Sequence, residues 1–324
     1  MKKSIWMTFF LVCAVPSVLM SFFNLKDRTD QPPSQSITNT TVPTEPVEEK
    51  TENAPISVKV LKGNEIEEMS LEAYVLCVVL GEMPAEFDIE ALKAQAVVAR
   101  TYTSKKMNNP KHDNADVCTD SGCCQAYMDE TVYLLSGGSD MNLQKIRSAV
   151  ESTAGEVLKY DGELIEATYF SCSGGKTEDA AAVWGADIPY LQAVDSPGEE
   201  KATHFTDTVR FSVKEFSNRL GQSFSGNPGK WIEHISYTEG SGVSSIVLQG
   251  TTYSGTQIRQ KLGLRSTAFV MTITGDTVTI TTKGFGHRVG MSQYGAEAMA
   301  VQGSDYRQIL AHYYTDTTLS TLVS

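Results

Sequence analysis

The sequence predicts an α+β fold, with helices and antiparallel strands mixed around a central cleft and a single N-terminal transmembrane helix ahead of them. Three observations lead there. Ala91, Ala94, Val98 and Thr101 recur at helical spacing behind an apolar run, which marks a buried helical core. Alternating stretches such as Phe269–Thr274 and Thr277–Thr282 meet at Gly275-Asp276 and read as an antiparallel hairpin. A separate run, Ser4–Asn24, is uncharged and apolar throughout.

The chain has 324 residues, enough for a sizeable core. Its net charge of -12 argues against nucleic acid as a partner and leaves an uncharged or weakly charged glycan open. Six cysteines in this length are not a disulfide scaffold. No internal repeat of fixed period is visible.

Residues 1–4 form a basic n-region, and residues 5–24 the predicted anchor. The 19 residues Ile5–Phe23 span a bilayer at about 1.5 Å per residue. Lys2 and Lys3 hold that end in the cytoplasm and send the rest outside, so the expected location is the cell membrane, single-pass. A cleaved signal peptide is the alternative. The bulky Leu19-Met20-Ser21-Phe22-Phe23 is a poor cleavage site. Residues 25–55, rich in Pro, Thr, Ser and Glu, form a solvated tether. Residues 56–324 are the extracytoplasmic globular domain.

That domain starts with a strand, Ile56–Val60, followed by a predicted helix over Glu65–Leu80 with Ser70 as a possible N-cap for its last part. The apolar run stops at Gly81, and one carboxylate, Glu82, stands at the break beside Met83 and Pro84. A long helix then starts at Asp88, a plausible N-cap. Lys93 and Arg100 lie seven apart, on one face of it. An acid facing two cations over an alanine-rich surface suits a polar substrate. The blander reading is a turn residue beside a solvated helix face.

The loop Met107–Gln125 carries His112, Cys118, Cys123 and Cys124. Taking His112, Cys118 and Cys124 as ligands gives a zinc set with an open fourth position. A disulfide or unpaired thiols are the alternatives. Leu143–Thr153 reads as a helix. Gly155–Leu158 and Leu164–Phe170 read as strands around Asp161-Gly162. The second runs into Ser171-Cys172-Ser173-Gly174-Gly175-Lys176-Thr177, where paired glycines let a ligand approach the backbone. Trp184 and Tyr190 suit stacking on a sugar ring or capping the core. Further on, Val213–Leu220 and Thr256–Leu262 read as helices, the latter ended by Gly263. Trp231–Tyr237 and Val243–Leu248 read as strands. The Gly-rich loop Lys283–Gly295 carries His287, Arg288, Ser292, Gln293 and Tyr294. It leads into a helix, Ala296–Gln302, and a last helix, Tyr306–Tyr314.

Three separated stretches, LGEMPAEFDIEALKAQAVVARTYT, YFSCSGGKTED and GFGHRVGMSQYGA, together resemble the stage II sporulation protein D family of bacterial peptidoglycan lytic transglycosylases. The resemblance covers residues 56–318. It implies cleavage of the β-1,4 bond between N-acetylmuramic acid and N-acetylglucosamine, leaving a 1,6-anhydromuramic end, on strands already stripped of stem peptides. The family's acid falls on Glu82. The resemblance also implies Lys93 and Arg100 along the cleft; Ser173, Lys176, His287, Ser292, Gln293 and Tyr294 are the candidate substrate contacts. The His112, Cys118, Cys124 loop looks like the zinc loop of clostridial members, bracing the loop rather than doing chemistry. Expected partners are a peptidoglycan amidase and a multispanning membrane scaffold, in a complex that drives forespore engulfment. Arg288 departs from the pattern, since many relatives carry Gly there. The chemistry agrees with a single acid: the C6 hydroxyl is tethered to the reacting sugar, so no second carboxylate is needed to activate water. The competing readings are a non-catalytic glycan-binding enhancer of an amidase and a zinc hydrolase.

Overall fold

The computed structural model describes residues 55–203 and 205–322. The predicted anchor lies outside the described residues, as does nearly all of the tether. Among the described residues no helix is long and apolar enough to cross a membrane.

Helices and mostly antiparallel strands are mixed through this body, as the sequence predicts. One boundary differs. Glu65–Leu80 is not one helix. Glu65–Ser70 (β2) pairs antiparallel with Ser57–Lys62 (β1) across Gly63-Asn64, with Lys62 opposite Glu65. The helix starts only at Leu71, where the Ser70 hydroxyl accepts from the Ala73 N–H at 3.2 Å. From Tyr74 to Leu80 this helix, α1 (Leu71–Glu82), is apolar and buried on every side. It ends at Glu82 because Pro84 forces Met83 into the extended region. The long helix α2 (Ile89–Asn108) is capped by Asp88, whose carboxylate accepts from the Glu90 N–H at 2.9 Å.

After α2 the cysteine loop is tied to the hairpin by β3 (Val117–Cys118), parallel to β1. A short helix, α3 (Glu130–Leu135), precedes α4 (Asp140–Ser152), which packs on α1 and α2. Next come β4 (Glu156–Tyr160) and β5 (Glu163–Leu164), whose turn residues Asp161 and Gly162 both have positive φ, as a tight type I′ hairpin requires. The predicted strand Leu164–Phe170 is broken, and its end forms a separate strand, β6 (Tyr169–Phe170). Trp184 closes the small helix α5 (Ala180–Trp184).

Residues 206–283 build a lobe with its own apolar core, centred on Phe216, Ile246, Leu248, Ile258, Val278 and Ile280. It contains β7 (Thr206–Ser212), α6 (Val213–Leu220), β8 (Ile232–Tyr237), β9 (Val243–Leu248), β10 (Thr251–Ser254), α7 (Gly255–Leu262), β11 (Phe269–Thr274) and β12 (Thr277–Lys283). Its sheets run β10-β9-β8 and β11-β12-β7. The chain enters and leaves this lobe at one point, where the Gly284 N–H donates to the Phe205 carbonyl at 2.9 Å. It then returns to the body through β13 (Met291–Ser292), parallel to β6, and the helices α8 (Gln293–Val301) and α9 (Tyr306–Tyr313). The final strand, β14 (Thr318–Thr321), pairs with β4.

Candidate active site

Glu82 sits at the C-terminal end of α1 and lines a cleft of about 450 Å³ with Tyr102, Ser121, Cys124, Thr168–Ser171, Phe285–His287 and Gln293. Its carboxylate is held from three directions. Oε1 accepts from the Ala126 N–H at 2.6 Å and from the Tyr169 hydroxyl at 2.9 Å. Among the described residues Oε2 has the Gln293 amide alone, at 3.5 Å. Among the described lining residues it is the only carboxylate.

Gly81 makes the first of these bonds possible. A Cβ there would lie 2.8 Å from the Tyr127 backbone nitrogen and 3.0 Å from the Ala126 carbonyl carbon. Only a residue without a side chain lets the Ala126–Met128 segment lie against α1, where the Met128 N–H also reaches the Cys77 carbonyl at 2.9 Å. Gly81→Ala is therefore expected to push this segment off Glu82 and to cost about 1–3 kcal/mol, as overpacking does. Urea denaturation tests it, and a variant as stable as the parent would show the approach to be looser than described.

The second donor is fixed from behind. The Thr103 hydroxyl donates to Gln125 Oε1 at 2.9 Å, Gln125 Nε2 donates to the Tyr169 oxygen at 3.1 Å, and Tyr169 then donates to Glu82. Burial, and next the Glu82 charge, raise Tyr169 well above the ordinary tyrosine value, so it stays a phenol and a donor.

Gln125 and Ala126 directly follow the cysteine cluster. One ligand atom each from His112, Cys118, Cys123 and Cys124 lies within 4.8 Å of the others. The His112 Nε2 is 3.3 Å from Cys124 Sγ and 3.7 Å from Cys123 Sγ. Tetrahedral zinc, with bonds of about 2.3 Å to sulfur and about 2.0 Å to nitrogen, spaces its ligands at such distances. The donor set fits zinc. Beside the three expected ligands, Cys123 brings a fourth ligand atom into the same cluster, where the sequence reading left an open position. The described cysteines are free thiols, not the disulfide weighed against metal. Lys111 donates to Cys123 Sγ at 3.2 Å and lowers that thiol below its ordinary range, whereas burial pushes Cys124 up to about 12. A cation bound there takes the place of that proton.

On the facing wall, His287 lies between Phe170 and Trp184, with ring centroids 5.6 and 5.4 Å away. Its Nδ1 accepts from the Val289 N–H at 3.2 Å, so Nε2 carries the proton. Burial, helped by the Arg259 charge, depresses the imidazole to about 4. The unfolded chain titrates near 6.5. Between these values the unfolded state binds a proton that the folded state does not. The contribution of His287 is thus complete above about pH 6.5 and is lost as pH falls toward 4, by roughly 3 kcal/mol at most. Denaturation of the parent and His287→Gln from pH 7 to 4 checks this, and the variant should show the shallower slope.

Several predicted contacts lie elsewhere. Arg100 is fully buried and forms a two-pronged pair with Glu72, at 2.8 and 2.6 Å, besides donating to the Glu156 carbonyl. It ties α2 to α1 and does not reach the cleft. Lys93 pairs with Glu90 at 2.7 Å and lies over the Tyr306 ring, again outside the cleft. Ser173 and Ser292 are buried and serve an internal acid, Glu199. Its Oε2 accepts from the Ser173 hydroxyl and N–H and from the Gly174 N–H, and its Oε1 from Ser196 and Ser292. Tyr294 packs edge-on against Phe87. Lys176 lines a different groove and pairs with Glu239 at 3.2 Å. Of the predicted contacts, His287 and Gln293 share the cleft with Glu82.

Arg288 has a φ of 68°, a conformation that suits glycine, which accounts for the expected Gly at this place. The strain is offset by a guanidinium bonded to the Ser173, Lys176 and Gly240 carbonyls at 2.6–2.7 Å and to Glu178 at 3.0 Å. Sequence reasoning missed Tyr169, Gln125, Ala126 and Glu199. Tyr169 stands at the head of a quoted motif, but the others have no local signal.

Residues 61–160 match the family described as Stage II sporulation protein. The chain is 39% identical over 319 residues to "Stage II sporulation protein D" of Bacillus amyloliquefaciens, an alignment covering 96% of this chain and 92% of the relative. The protein of the same name in Bacillus subtilis (strain 168) is 38% identical, with the same coverage. "Amidase enhancer" of that organism is 30% identical over 75% of this chain and 40% of its own length. With two near-full-length relatives above 30% identity, the chain belongs to the stage II sporulation protein D family.

Proposed function

We propose that this protein is a lytic transglycosylase of the cell wall. It cleaves the bond between N-acetylmuramic acid and N-acetylglucosamine, on strands stripped of stem peptides, and leaves a 1,6-anhydromuramic end. One observation carries the reading: a single carboxylate, Glu82, lines the cleft and is held by three donors. A two-carboxylate hydrolase needs a second acid 5–9.5 Å away, and the described lining has none.

The geometry divides the labour between the two oxygens. Oε1 already accepts two short hydrogen bonds, so the proton of the acid form resides on Oε2. From there it passes to the glycosidic oxygen as the bond to C1 breaks. The C6 hydroxyl of the same muramic ring closes on C1, and its proton returns to Oε2. Tyr169 and the Ala126 N–H hold the carboxylate in place during both transfers. Gln293 offers hydrogen bonds to the sugar, while neutral His287, engaged by the Val289 N–H and the Tyr169 backbone, supplies a ring edge of the wall. Zinc held by His112, Cys118, Cys123 and Cys124 supplies a rigid brace for the loop that presents Gln125 and Ala126.

By family, the role is in sporulation, in the forespore-engulfing membrane, with the domain outside a single anchor at residues 5–24. The partners are a peptidoglycan amidase and a multispanning scaffold. Mass spectrometry of the ends cut from purified denuded glycan tests the activity, because a reducing end in place of the anhydro form would mean hydrolysis. The 30% identity to a protein named for enhancing an amidase favours one second reading, a glycan-binding enhancer without turnover. That reading gains if no ends are cut while partner amidase activity rises.

A further inference from the structure

A second groove, of about 490 Å³, lies at the seam between the body and the 206–283 lobe. It is built on the same paired segments as the cleft. Cys172 and Phe285 exchange backbone hydrogen bonds at 3.3 and 2.7 Å. Ser171 and Phe285–His287 line the cleft, while Gly174–Lys176, Lys283 and Arg288 line the groove.

Its charge is opposite to that of the chain as a whole. Lys176, Lys283 and Arg288 line it with one lining carboxylate, Asp195, in a protein of net charge -12; Arg288 is paired with the buried Glu178 at 3.0 Å, so the two lysines supply the charge open to a ligand. Arg288 is 2% exposed, and its four hydrogen bonds leave one of its five N–H groups over. Lys283 makes no ion pair among the described residues. Among the described residues the Lys176 ammonium is held by Glu239 alone, whose side chain is 75% exposed, a pair that an incoming anion displaces at little cost. A Cβ on Gly175 would meet nothing within 4 Å, so the backbone there is open to a ligand. Tyr237 and Val270, 57% and 63% exposed, form apolar lips. Cations on the floor and apolar lips together suit a carboxylate carried on a sugar ring.

We propose that this groove is a carboxylate subsite that binds the free lactyl group of an N-acetylmuramic acid residue. The choice of sugar rests on the transglycosylase reading. The groove is not required for bond cleavage. It selects strands whose muramic carboxylates are free, because an amide there carries no charge for the lysines.

Amide NMR titration of the protein at fixed ionic strength tests it with three probes: N-acetylmuramic acid, N-acetylglucosamine and inorganic phosphate. N-acetylmuramic acid is expected to shift Gly174, Gly175 and Ser241, and the other two are not. In the double variant Lys176→Gln/Lys283→Gln the same titration should be at least tenfold weaker. Equal shifts from N-acetylglucosamine or phosphate, or an unweakened double variant, would overturn the assignment. The binding assay needs no turnover, so the two readings fail separately. Anhydro ends produced with unchanged kcat/KM by the double variant would remove the groove and leave the reaction. A groove that titrates as expected without anhydro ends would do the reverse.

Discussion

Glu82→Gln is expected to lower production of anhydro ends by about 10²–10⁴-fold, the range associated with loss of a general acid–base group. The side chain keeps its shape. Its carbonyl oxygen takes the Oε1 place, still accepting from Ala126 and Tyr169, so the melting temperature should change little. What is lost is a proton on Oε2 and a place for it to return. Tyr169→Phe gives the companion result. It removes one donor and keeps the acid, so turnover should fall by less than in Glu82→Gln. If Glu82→Gln stays within tenfold of the parent on denuded glycan, the proton comes from elsewhere and the assignment fails.

Removal of metal is expected to produce the largest loss of stability. Structural zinc sites of this ligand type bind with apparent free energies on the order of 10 kcal/mol in small peptides, and in a domain that energy is linked to folding. Here the loop also carries the backbone of the acid's neighbours. Chelation, or Cys124→Ser, should lower the melting temperature. It should also reduce kcat by loosening Gln125 and Ala126, with any product still ending in the anhydro form. The form of the product separates a brace from a metal hydrolase, in which residual turnover would vanish with the ion. A chelated protein that melts and turns over like the parent would show that the four side chains hold no functional metal.

The sequence reveals much of the local structure because local structure is written in neighbouring residues. Ser70 and Asp88 cap helices as their types suggest, and Gly263 ends one. The hairpin at Gly275-Asp276 lies where its turn chemistry puts it. Glu65–Ser70 misleads because its glutamates favour helix, while pairing with β1 outweighs that preference; the Gly63-Asn64 turn is the signal against it. Glu82 is legible as the acid that ends an apolar run. Its partners Ala126 and Tyr169 are 44 and 87 residues away, and no pattern in the chain links them. The same distance hides the roles of Arg100, Ser173 and Ser292. Each is a polar residue in a suggestive motif whose protein partner, half-buried Glu72 or buried Glu199, lies elsewhere in the chain. A polar residue in a motif indicates that something holds it, not whether that something is substrate or protein.

The single crossing point at Phe205 and Gly284 has a consequence for evolution and engineering alike. Because those ends are already one hydrogen bond apart, residues 206–283 are an insertion in the chain, tied to the body besides through Thr238 to Glu178 and Gly240 to Arg288. A short turn can bridge the gap, or another module can be spliced in, without lengthening any path through the parent scaffold. Lineages can therefore enlarge, shrink or exchange this appendage while α1 and its terminal acid stay untouched.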